Sequence, residues 1–152
     1  MHIELQRVLA AGPTEADIQH WVEVALHHEQ RENIELTLRI VDEAESMALN
    51  HQYRHKDYAT NVLSFTYDIP AEVEIELLGD LVICAPVVQR EAAEQGKSEQ
   101  AHWAHMIVHG LLHLLGFDHL NDADAKEMEA HEISILMQLE FTNPYDISET
   151  EG

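Results

Sequence analysis

The chain has 152 residues, one cysteine, and 29 acidic against 8 basic residues, for a formal net charge of −21. That length suits one domain able to bury roughly two-thirds of its unfolded surface without disulfide support. Cys84, in the apolar run LVICAP, then reads as a small core residue in a reducing cytosol. The charge excludes a general nucleic-acid binder, because diffuse basic charge supplies non-specific phosphate affinity. With no leader pattern at the N-terminus and no apolar run near about 18 residues, the expectation is a soluble, untargeted, cytoplasmic chain with no membrane partner.

In chain order, a first strand is expected near residues 2–9. Thr14 then caps a helix with Asp17 in the box position, and Ile18, Trp21, Val22, Ala25 and Leu26 form one apolar stripe. Ile34, Leu36, Leu38 and Ile40 alternate with Glu35, Thr37 and Arg39, the period of a half-buried strand. A short helix over 43–50, a polar segment HQYRHKDYAT and the β-rich run NVLSFTY follow, and this strand, helix, strand order favours a parallel pair. The run LLGDLVICAP reads as a buried strand, set antiparallel to its predecessor by the short connection. Helices are predicted over 86–96, 99–115 and 122–140. The fold class is therefore α/β (α+β), with a mixed sheet of about four strands, one antiparallel edge and about five helices. One domain is expected over 1–145, followed by a flexible acidic tail over 146–152.

Twelve histidines guarantee chance pairs, so spacing matters more than number. His109 and His113 in the run HGLLHLLGFDH are four residues apart, on one helical face, where both imidazoles converge on one ion. On a continued helix His119 would stand ~15 Å from His109, too far to share a metal with it. Gly116 supplies the bend: a glycine closing a helix takes the positive-φ conformation that reverses the chain. Three histidines leave a fourth tetrahedral position for water, the pattern of a catalytic zinc, one per chain. His102 and His105, on the same helix, are either groups around the site or histidines capped by neighbouring acids. Trp103, Met106 and Val108 read as core.

Metzincin peptidases share this spacing but carry a glutamate general base after the first histidine, where this chain has Gly110. Together HGLLHLLGFDH, AHWAHM, EMEAHE, YRHKDYATNVLSF and LLGDLVIC resemble the YbeY family of bacterial endoribonucleases over about residues 53–145. The resemblance implies a mixed α/β fold with a three-histidine zinc cleft at the metal-binding helix. It also implies hydrolysis of single-stranded RNA in 16S ribosomal RNA 3′-end maturation and ribosome quality control. The family's metal-binding histidines fall on His109, His113 and His119, and its functional arginine on Arg54. Glycine often follows that arginine in the family, where this chain has His55.

On this reading His109 and Arg54 are the catalytic residues. Arg54 holds the phosphate with its planar fork, and Lys56 is a second phosphate contact. Asp80 or Asp118 is expected to orient a ligand imidazole through its second nitrogen. Ribosomal RNA and ribosomal subunits are the expected partners, with a ribosomal protein or GTPase to deliver substrate to so acidic a chain. Two alternatives stay open: a zinc metallopeptidase or amidase, and a non-catalytic ribosome-assembly factor with a structural metal.

Overall fold

The computed structural model describes residues 1–32, 34–66, 76–117 and 121–145. Among them the elements run β1 (His2–Arg7), α1 (Glu15–His28), β2 (Ile34–Val41), α2 (Glu43–Arg54), β3 (Val62–Thr66), β4 (Glu76–Cys84), α3 (Ala85–Gln95), α4 (Glu99–Leu114) and α5 (Asp122–Gln138). They form a single domain with one four-stranded mixed sheet, in the order β1-β2-β4-β3. The residues of the expected acidic tail, 146–152, lie outside those described.

The expected helix starts follow from local chemistry. Thr14, Asp42, Ser98 and Asn121 each accept a backbone N–H three residues on, at 3.1, 2.9, 3.1 and 2.9 Å, satisfying donors that the first helical turn leaves over. In β2, Ile34, Leu36, Leu38 and Ile40 are buried while Glu35, Thr37 and Arg39 are partly exposed, the alternation read from the sequence.

The strand order corrects one expectation. β2 and β3 are not a parallel pair: β4 lies between them, parallel to β2 and antiparallel to β3. Leu81, Val82, Ile83 and Cys84 are all buried, so β4 needs cover on both faces and both edges, which a central position gives. The other strand, helix, strand unit, β1-α1-β2, is the one whose two strands pair in parallel. A second correction concerns α2, which runs on to Arg54 rather than stopping at 50 and so carries Tyr53 and Arg54 on its last turn.

One core gathers Leu81 and Ile83 of β4 with α1, α4 and α5, while a smaller one on the other face gathers Val82, Cys84, Leu63 and Val87. α4 is buried along most of its length, with Trp103, Ile107, Val108, Leu111 and Leu112 at 1% exposure or less. Covering that much apolar side chain stabilises the fold by several kcal/mol, at about 25 cal/mol per Å². It also fixes α4 as a rigid rod on which the histidines ride.

Candidate metal centre

His109 and His113 sit on the last turns of α4, where the helix emerges from the core, and both are partly exposed. The helix ends as its sequence dictates. Phe117 N–H bonds the Leu112 carbonyl at 3.0 Å and Gly116 N–H bonds that of His113 at 3.1 Å, with Gly116 at φ 108°. This pair of bonds is the Schellman closure, and it requires a positive φ at Gly116. It also turns the Phe117 carbonyl onto His113.

The second ring nitrogens decide the chemistry. His113 Nδ1–H donates to the Phe117 carbonyl at 3.0 Å, and His109 Nδ1–H donates to Glu132 Oε1 at 3.0 Å. Both partners only accept, so each neutral ring carries its proton on Nδ1 and its lone pair on Nε2. The two Nε2 atoms stand 3.2 Å apart. Two lone pairs that close repel unless a cation lies between them. Two ligands at about 2.0–2.1 Å from a tetrahedral zinc would stand about 3.3–3.4 Å apart, so the pair fits a metal ion with almost no movement.

Glu132, on α5, is the buried centre of this arrangement, with no exposed surface. His105 Nε2–H donates to its Oε2 at 2.7 Å and the Tyr145 hydroxyl to the same oxygen at 2.6 Å. Burial pushes the carboxyl up, but the donors from His105, His109 and Tyr145 outweigh it and hold the pKa at about 2. Glu132 therefore stays ionised and locks the His109 tautomer. Burial lowers the His105 pKa despite this partner, and burial beside Glu132 raises that of the Tyr145 hydroxyl. His105, His109 and Glu132 are close enough to hold an ion themselves. Their donor–acceptor distances are those of hydrogen bonds, however, and the nitrogen of His109 left for a metal is Nε2, since Nδ1 is at Glu132.

A cleft of about 590 Å³ opens in front of His109 and His113, and Arg54, Asn61 and Ser64 also line it. The fold thus brings Arg54 together with His109 and His113, which lie 55 and 59 positions further along the chain. Lys56 is exposed and does not line this cleft. Asp80 pairs with Phe65 across β3 and β4, on the face of Val82 and Cys84, whereas α4 packs over Leu81. Asp80 is thus turned away from the imidazoles, and Glu132 occupies the orienting position proposed for it. Asp118 and His119 lie outside the described residues.

Gly110 explains the missing glutamate. A Cβ there would meet Leu81 Cδ2 at 2.6 Å and Val62 Cγ2 at 3.1 Å, and Ser64 Oγ donates to the Gly110 carbonyl at 3.2 Å. α4 lies so close on the sheet here that a larger side chain would have to push Leu81 aside. The chain carries no carboxylate where a peptidase of this spacing has its general base.

A further group, His28, Glu29 and His131, also brings metal-type donors together. Here both Nδ1–H groups donate to one Glu29 oxygen, at 2.6 and 2.7 Å, and His28 Nε2 meets Ser134 Oγ at 3.1 Å. These contacts make it a hydrogen-bonded clasp between α1 and α5.

Fold and site define a mixed α/β protein whose central helix presents histidines able to hold a metal ion, with an arginine at the rim of the same cleft. The family model described as Endoribonuclease YbeY matches residues 4–140, and the chain belongs to that family. Proteins named Endoribonuclease YbeY from Pseudomonas putida (strain W619) and Pseudomonas entomophila (strain L48) are 56% and 54% identical, each alignment covering 100% of this chain and 98% of the relative. One from Stutzerimonas stutzeri (strain A1501) is 58% identical over 89% of this chain and 84% of its own length. The solution structure of TM1509 from Thermotoga maritima matches with a TM-score of 0.62 at 22% identity, over 95% of this chain and 99% of that one, which shows a shared fold.

Proposed function

We propose that this chain is a zinc-dependent, single-strand-specific endoribonuclease, a hydrolase of phosphodiester bonds that uses His109, His113 and His119 as metal ligands. The observation that carries the reading is the 3.2 Å convergence of two Nε2 lone pairs in the cleft that Arg54 lines. Family membership supports RNA as the substrate. When bound, a zinc ion supplies Lewis acidity at a phosphoryl oxygen and makes water available as a nucleophile near neutral pH.

The chain's own residues do the rest. Glu132 and the Phe117 carbonyl hold the two imidazoles in one tautomer with Nε2 turned into the cleft. Arg54 binds the phosphate and stabilises the charge that builds on it during attack. Asn61 and Ser64 also line the cleft, and Ser64 donates to the Gly110 carbonyl. The proposed setting is 16S ribosomal RNA 3′-end maturation and ribosome quality control in the cytoplasm. The partners there are ribosomal subunits and a protein, ribosomal or GTPase, that delivers the RNA. Among the described residues no helix is long and apolar enough to cross a membrane. The absence of a carboxylate at Gly110 weighs against the peptidase alternative.

Arg54→Ala is expected to keep its zinc and lower single-stranded RNA cleavage by about a hundredfold or more. Cleavage at the wild-type rate by that variant would remove Arg54 from the mechanism.

A further inference from the structure

A second cleft, of about 740 Å³, adjoins the one in front of His109, and Asn61 lines both. α4 runs under the two in turn. His102 and His105 line the second cleft and His109 and His113 the first, and their spacing of three, four and four residues keeps all of them on one face of the helix. The rings form a file along that face, with centroids 6.1 Å apart from His102 to His105 and 6.2 Å from His105 to His109. At the helical rise the two pairs are centred ~11 Å apart, a span that neighbouring nucleotides of one strand cover.

The lining suits an uncharged group with apolar faces and a polar edge. Met106 and Leu136 supply buried apolar surface, and Phe141 and Pro144 add more from the segment after α5. Tyr145 stands edge-on to His105, with ring centroids 5.4 Å apart. Its hydroxyl donates to Glu132 at 2.6 Å, which holds the ring while 39% of the residue stays open. The polar part comes from the end of α3. Glu91 accepts from buried His102 at 2.9 Å and from Asn61 at 3.1 Å, contacts that keep it ionised, and Glu94 lies three residues on. Against these two carboxylates the lining sets one lysine, Lys97. An anion is therefore disfavoured, whereas the amino and imino N–H groups on the edge of a nucleobase find acceptors. The volume falls among those of sites for small organic groups, roughly 300–1,000 Å³.

We infer that the second cleft is a nucleobase subsite, which takes an unpaired base of the strand whose phosphate Arg54 holds, an assignment that rests on the endoribonuclease reading above. A base enters a concave site only when it is splayed out of its stack, which a single strand allows far more readily than a duplex. Binding a neutral ring also needs no positive charge. A chain of net charge −21 thus holds an anionic strand through its bases where a basic groove would otherwise be needed.

The test uses the full-length, zinc-loaded protein with two variants of the second cleft. Ala101→Leu takes up space in it, and Glu94→Ala removes an acceptor at an exposed position, where the fold tolerates the change. Neither residue lines the His109 cleft, so zinc content should match the wild type. Substrates are one single-stranded RNA and a set of copies that each carry a single abasic residue, with 2-aminopurine placed at the same positions to report binding. In the wild type, loss of one base near the cut should raise KM about tenfold, as for the loss of a stacked base. Both variants should shrink that ratio between abasic and intact strands, with kcat little changed. The full ratio in both variants would overturn the subsite, as would a wild-type KM indifferent to every abasic position. A wild-type protein that changes 2-aminopurine fluorescence, a response weakened in both variants, but cuts no RNA would uphold the subsite and sink the nuclease reading instead.

Discussion

Glu132 shows how much a single buried carboxylate organises. It accepts from His105, His109 and Tyr145 and so determines which nitrogen of His109 faces the cleft. Glu132→Gln keeps the shape but removes the charge and offers a donor where acceptors are needed. Zinc affinity, measured by competition with a chromogenic chelator, should fall about 10- to 100-fold, and an unchanged affinity would show that the tautomer is set elsewhere. Gly110→Ala should cost about 1–3 kcal/mol in denaturant unfolding, because the added Cβ presses on Leu81 and Val62 across the tightest helix-to-sheet contact of the site. A variant as stable as the parent would mean that α4 can lift off the sheet. At this scale the sequence was uneven. His109 and His113 were legible because helical periodicity alone sets them together. Glu132 was not, since 23 positions and a change of helix separate it from His109, and only the packing of α5 on α4 brings it there. Asp80 looked equally suitable in sequence, but strand alternation turns it to the other face.

At the scale of elements, the helix ends do the positioning. The turn at Gly116 was readable because glycine marks such ends, whereas the continuation of α2 to Arg54 was masked by the polar run HQYRHKDY, which resembles a loop. Left-handed His55 closes that helix in place of a glycine. α3 and α4 are tied by His102, whose Nε2 meets Glu91 Oε1 at 2.9 Å. That hydrogen bond, helped by Asn61, keeps the Glu91 pKa below its ordinary 4.5 despite partial burial. A carboxyl lowered in the folded state stabilises the protein above the unfolded pKa and loses that contribution as pH falls through the folded value. Glu91→Gln should therefore flatten the acid limb of the stability profile measured by thermal unfolding between pH 6 and pH 3. An acid limb as steep as the parent's would assign the loss to other carboxylates.

For the whole molecule, apolar patterning established class but not arrangement. Strand number and the antiparallel edge follow from apolar patterning and from the short connection between β3 and β4. The order β1-β2-β4-β3 does not, because local pattern cannot tell that β4, buried on both faces, takes the centre ahead of β3. The cleft is a product of that order: β3 at the edge carries Val62 and Ser64 beneath Gly110, and the end of α2 brings Arg54 to the same opening. The fold thus brings four distant segments into one site that carries a cationic side chain, Arg54, on an acidic protein. On the proposed function this site cuts RNA with a metal held by its histidines. Cleavage of a single-stranded ribosomal RNA fragment should be followed before chelation, after removal of metal, and after return of one equivalent of zinc. Activity should be lost with the metal and restored with it, and cleavage that continues unchanged in metal-free protein would rule out a metal-dependent nuclease.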